Sequence, residues 1–238
     1  IMSFGEAPFT RAGYQLLRYS GEYGDENTYP VDKPKILSNT NLTKLFRDSY
    51  VLTKFNKLNE WDTSNVINLF YAFTECSNFN QDIDNWDTSN VTRMRGMFRD
   101  CTIFNNGDID NSATKPLNWD TSKVNDMYYM FDDCESFNQN IGNWDTTNVT
   151  NMRSMFNDCF IFNNGDTDDS AKKPLNWDTS KVTTMRFMFD DCHKFNQELV
   201  NWVVSNVTDM RIMFRDCFIF NNGDRNNSAE KPLNWDTS

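Results

Sequence analysis

Residues 144–163 read W-D-T-T-N-V-T-N-M-R-S-M-F-N-D-C-F-I-F-N, and close copies of this string recur along most of the chain. The tryptophans set the register. Trp61, Trp86, Trp119, Trp144, Trp177, Trp202 and Trp235 stand 25 and 33 residues apart in strict alternation, so the true period is 58. Cys76, Cys101, Cys134, Cys159, Cys192 and Cys217 each follow their tryptophan by 15 residues. Self-similarity at this spacing marks a stack of coils, because one unit is too small to bury its own apolar face and must lean on its neighbours.

Within one unit, Val91, Met94, Met97, Phe98 and Cys101 fall in an arc of about 120° at 100° per residue, which predicts a short amphipathic helix facing inward. Asp87, Thr88, Ser89 and Asn90 precede it and read as its cap. Phe79, Ile83 and Trp86 flank N-Q-D-I-D-N-W, which predicts a strand of about two to four residues. Such strands would stack as a narrow parallel sheet with right-handed crossovers. Every second coil carries an insertion, from Asn105-Asn106-Gly107-Asp108 to Pro116-Leu117 in the first instance. Ile103, Ile161 and Ile219 appear only in these long coils, and are expected to pack beneath the Ala, Pro and Leu of their own insertion, making a pair of coils the structural unit. Residues 1–40 do not follow the register and, with Phe4, Phe9, Tyr14, Leu16 and Leu17, are expected to cap the stack. Residues 41–238 form the repeat region, whose C-terminal edge is expected to be open to a continuation of the chain or a neighbour.

Composition narrows the function. Apolar residues make up 38% of the chain and aromatics 15%, with 20 Phe and 7 Trp, so rings must supply the burial that aliphatic side chains usually give. The net charge is −11, which lacks the basic footprint that nucleic acid or anionic lipid requires. No apolar run approaches the roughly 18 residues of a membrane helix, so no membrane insertion is expected.

The six cysteines show no C-x-x-C spacing and sit on the inward arc, so they read as reduced core residues. His193 stands alone, which leaves no second histidine for a triad or a zinc site of that type; it is expected to be an ordinary surface residue. Carboxylates recur after every Trp but Trp202, where Val203 follows, and before each Cys, as in Asp87 and Asp100. A group copied in every coil has a structural duty, so no enzyme activity is expected. In the insertions, Asp108 and Asp110, Asp166 and Asp168, and Asp224 supply clustered oxygen ligands beside Asn-Gly, consistent either with calcium or with a solvated loop. The sequons at Asn90, Asn148 and Asn206 coincide with the expected helix starts and read as caps.

A further column lies midway between the two methionines: Tyr71, Gly96, Tyr129, Ser154, Phe187 and Ile212, flanked by Phe70, Arg95, Tyr128, Arg153, Arg186 and Arg211. Two readings are open. The aromatic and arginine bias fits a partner-binding surface built from Tyr71, Tyr128, Tyr129, Arg153, Arg186, Phe187, Arg211 and Ile212. Alternatively, each ring folds over the Gly or Ser of the adjacent coil.

The W-D-T-S-N-V-T-x-M-x-x-M-F and F-N-Q-x-I segments, recurring over about residues 41–238, resemble the repeat of BspA-like leucine-rich-repeat surface proteins of the mycoplasma surface lipoprotein type. That resemblance implies an α/β, right-handed, leucine-rich-repeat-like solenoid of short strands and short helices. It also implies exposure on a cell surface or outside the cell, adhesion or protein binding, and no catalysis. The expected role is a non-enzymatic recognition module for a protein partner. The alternative is a structural or decorating component of a viral or cellular assembly, on a virion surface in the viral case, joined through the open C-terminal edge.

Overall fold

The computed structural model describes residues 40–55, 57–167, 172–224 and 232–236. The expected N-terminal cap and Asp168 lie outside them. Strand β1 (Thr40–Asn41) pairs in parallel with β2 (Val66–Asn68). From Asn68 the ladder continues as single parallel bridges through Arg93, Asp126, Asn151, Thr184 and Asp209. Successive coils therefore lie on one another in parallel. The sheet column is not at N-Q-D-I-D-N-W, where no strand forms among residues 80–86, but just before the first methionine of each unit.

The expected helix between Met94 and Cys101 is absent. Two linked four-residue turns replace it, closed by Met97 N–H to Met94 O (3.1 Å) and Cys101 N–H to Phe98 O (3.0 Å). Their third residues, Gly96 and Asp100, have φ of 57° and 59°, the left-handed value such turns require. The amides between them leave the coil: Gly96, Phe98 and Asp100 donate to Tyr128 O, Met130 O and Asp132 O of the next. A chain of turns brings every third or fourth residue inward as a helix does, so periodicity alone does not separate the two. The D-T-S segment likewise caps no helix. Asp87 Oδ1 accepts from Ser89 N–H (3.0 Å) in a local turn, while buried Thr88 donates to Asp120 O of the next coil (2.9 Å).

The interior is a bundle of columns. Phe98, Phe131, Phe156 and Phe189 stack at ring separations of 5.6, 5.7 and 5.6 Å, all fully buried. Tryptophans stack in pairs beside them, as in Trp119 on Trp144 at 6.3 Å. Each indole N–H must find an acceptor when buried; Trp144 Nε1 donates to Leu117 O (2.8 Å) and Trp177 Nε1 to Ile141 O (3.1 Å). The cysteines form no disulfide among themselves, and their thiols donate to phenylalanine carbonyls of the preceding coil, as from Cys134 to Phe98 O at 3.0 Å.

A ladder of asparagines joins the coils, and its two kinds of joint alternate. From a short coil to the next long coil, Asn80 Oδ1 accepts from the backbone of Asn105 (2.9 Å) and Gly107 (2.8 Å). From a long coil to the next short one, Asn105 Oδ1 accepts from Asn138 N–H (2.9 Å) and the Gln139 side chain (3.0 Å). Gly107 sits where a Cβ would lie 2.8 Å from the Asp82 backbone nitrogen, so this joint demands glycine. The pairing of coils thus rests on amides. It does not rest on Ile103 and Ile219, which stay 44% and 41% exposed instead of packing under the insertions.

Candidate functional site: an arginine and aromatic face

The turn opening at each first methionine aims its two middle residues outward, and stacking places these residues in two adjacent columns. In the midway column every residue is left-handed: Tyr71, Gly96, Tyr129, Ser154, Phe187 and Ile212 have φ between 50° and 61°. The alternation of bulky and small residues has a direct cause at one step. A Cβ on Gly96 would lie 2.1 Å from Tyr71 Cε1, so the Tyr71 ring occupies the space glycine leaves. Tyr71 is therefore a folded-down ring, whereas Ile212 stays 41% exposed.

In the flanking column, arginines are held by rings. The Arg95 guanidinium lies 4.5 Å from the Tyr128 ring centroid and 5.5 Å from that of Phe70. The Arg153 guanidinium lies 5.4 Å from the same Tyr128 centroid, and that of Arg186 4.6 Å from the Phe187 centroid. Tyr128 also stacks on Tyr129 at 3.8 Å. Burial first, and then the hydrogen bond with Tyr129, push the Tyr128 hydroxyl up to about 12, so Tyr128 stays neutral at physiological pH. The Nε atoms of Arg95, Arg153 and Arg186 are buried with no hydrogen-bond partner. None of these three side chains forms an ion pair or hydrogen bond among the described residues. Arg211 differs, because its guanidinium grips Asp209 with two contacts of 2.9 Å.

This repeat is also what relates the chain to other sequences. A family model described as "Mycoplasma protein of unknown function, DUF285" matches residues 22–117, 113–173 and 166–238. The chain belongs to this family. It is a mycoplasma-type repeat protein. No curated protein and no solved structure matches it.

In this DUF285 member the insertion carboxylates are engaged by the chain itself. Buried Asp108 accepts from Gln139 Nε2 of the next coil (3.0 Å), Asp110 N–H (3.2 Å), and both the amide and hydroxyl of Ser112 (3.4 and 3.3 Å). Burial works to raise its pKa, but those hydrogen bonds prevail and hold it at about 2. Asp110 accepts from Ser112 N–H (3.1 Å), and Asp166 from Gln197 Nε2 (3.1 Å). Asp224 is buried on the last insertion. The structure brings Asp108 and Asp110 together and leaves Asp166 and Asp224 on separate insertions two coils apart. No group of three metal-ligating side chains is positioned to hold an ion among the described residues. The arrangement docks the first two insertions onto the coils that follow them.

Two features escaped the sequence. The sequon asparagines do not cap helices but tie coils together, as in Asn148 Nδ2 to Ser122 O (2.7 Å). His193 is stacked between Phe160 (5.0 Å) and Phe218 (4.7 Å), with Nε2 3.7 Å from Asp191. Its place one residue after Cys192, in register with those two rings, was the available signal. No helix among the described residues is long and apolar enough to cross a membrane.

Proposed function

We propose that the chain is a non-enzymatic recognition module, a BspA-like leucine-rich-repeat solenoid of the right-handed kind, whose arginine and aromatic face holds a protein partner at a cell surface. The observation that carries this reading is the set of Arg95, Arg153 and Arg186 guanidiniums, stacked on rings and forming no ion pair among the described residues in a chain of net charge −11. Aromatic and arginine side chains dominate the energetics of protein interfaces, and pinning them beforehand lowers the ordering cost of binding. Recurrence of each carboxylate in coil after coil supports a structural use of the acids over a catalytic one.

A photo-crosslinking residue placed at Tyr129 tests it against an array of secreted and cell-surface proteins. A crosslinked partner whose capture is lost in the Tyr129→Ala plus Phe187→Ala chain is the expected result. Crosslinks obtained only from positions such as Phe218, in the last coil, would favour the assembly role instead.

A further inference from the structure

Unpaired cations are unusual in an acidic molecule, and here three share one column. Arg95, Tyr128, Arg153 and Arg186 occupy the same position in four successive coils, and none of the three arginines among them forms an ion pair or a side-chain hydrogen bond among the described residues. Two carboxylates stand in register beside this column: Asp126 accepts from the Tyr128 amide (3.1 Å), and Asp209, which Arg186 also attracts, is gripped by Arg211. Like charges stacked at the spacing of a sheet repel one another, about 4.8 Å per coil. Ring contacts orient the guanidiniums without neutralising them.

We propose that this column, with Tyr129 and Phe187 beside it, docks an extended acidic peptide in which carboxylates alternate with apolar residues. The inference rests on the recognition reading given above and adds the chemistry of the partner. Three features favour such a peptide. Charge complementarity asks for anions, and planar guanidiniums match carboxylates in a forked geometry. The two columns differ in character: arginines lie in one, and in its neighbour the rings of Tyr129 and Phe187 alternate with Gly96 and Ser154, so a chain running along the stack would send alternate side chains to each. The lengths also agree. From end to end, four coils span roughly 14 Å from Arg95 to Arg186 and three carboxylates at alternate positions of an extended chain about 13 Å; the middle carboxylate, about 7 Å along, falls about 3 Å short of Arg153, a gap for the long arginine side chain to close.

The test uses the whole chain and a labelled peptide of about seven residues alternating Glu and Val, followed by fluorescence anisotropy at low and moderate salt. The Glu–Val peptide is expected to bind, more weakly as salt rises, while its Lys–Val counterpart does not. Arg153→Gln with Arg186→Gln is expected to weaken binding by roughly tenfold or more, and Phe187→Ser by roughly threefold. Lys115→Gln, on an insertion where its ammonium pairs with Asp82 (3.1 Å), should leave binding unchanged. If the double glutamine variant does not fold, Arg153→Lys with Arg186→Lys keeps the charge and should still weaken binding, because the planar fork is lost.

Equal binding of the Lys–Val peptide, or no binding of the Glu–Val peptide up to millimolar concentration, overturns the proposal. So does dextran sulfate binding that competes with the peptide while Phe187→Ser changes nothing, because that marks a charge-only polyanion surface. Should the acidic peptide fail while Tyr129 still crosslinks a partner, the recognition reading stands and only the acidic partner falls. Failure of both removes the face as a binding surface.

Discussion

Phe98, Phe131, Phe156 and Phe189 form one row of the stack. Asp100, Asp133, Asp158 and Asp191, two residues further along the same turn, form another. Backbone and rise are shared, yet repetition has opposite effects in the two rows. Each added phenylalanine gains a parallel ring on both sides and leaves water entirely. Each added aspartate gains a like charge. Burial, then the Asp100 and Asp158 charges, push the Asp133 carboxyl up to about 6, and its neighbour Asp132 is pushed up to about 7 by burial and then by Asp133, against the pull of Arg99. Arg99 pairs with Asp100 (3.3 Å) and Asp132 (3.1 Å), and Arg215 with Asp191 (3.4 Å) and Asp190 (2.7 Å), so arginine relieves the row at its two ends. A repeat multiplies whatever a position carries, so attraction and repulsion have to be divided among columns.

The largest expected effect breaks the ring row. Phe156→Ala should cost roughly 3–5 kcal/mol by chemical denaturation, because its ring is sandwiched between Phe131 and Phe189 and touches Phe162 at 4.0 Å. A loss under about 1 kcal/mol would mean that stacking does not cumulate as argued. Next comes the outward column, where Gly96→Ala puts a methyl into the Tyr71 ring at a left-handed position. Destabilisation on the order of 1–3 kcal/mol is expected. A double cycle with Tyr71→Ala should recover the steric share and leave the backbone share, which separates the two causes.

The acid row predicts a pH dependence. Because the carboxyls of Asp132 and Asp133 titrate above the unfolded range, the folded chain holds those protons more tightly than the unfolded one. Their contribution is complete below about pH 4 and is lost as pH rises through about 6 to 7. Asp132→Asn should therefore raise the melting temperature by a few degrees at about pH 8 and change it little at about pH 4. An equal shift at both pH values would remove charge as the cause. The smallest effect concerns the thiols. Burial pushes the Cys134 and Cys159 thiols well up, and that of half-buried Cys217 to about 12. Native-state labelling should reach Cys217 first and the other five only on unfolding.

The register and the interior were legible because Trp119, Phe131 and Cys134 recur at fixed spacing and nothing else in the composition offers a core. The path of the backbone between them was not. Left-handed residues such as Asp100 and Tyr129 carry no sequence mark of their φ, so turns at Met94–Cys101 and a helix present the same pattern. The misplaced strand has a similar origin, because Ile83 and Trp86 are buried by a turn at whose close Trp86 N–H meets Ile83 O (3.1 Å). The outward columns were legible as rows. Which rings lie down and which arginines stay unpaired depends on distances such as that between Gly96 and Tyr71, which spacing does not encode.

The asparagine ladder bears on how such a chain changes in length. A short coil ends in a joint that needs the Gly107 type of backbone, and a long coil in one that needs the Gln139 type of side chain. Duplicating or deleting one coil would set two like ends against each other and strand a buried amide. Gain or loss of a whole 58-residue pair leaves every joint as it was. Copy number is therefore free to drift in steps of two, and a longer or shorter descendant inherits intact seams.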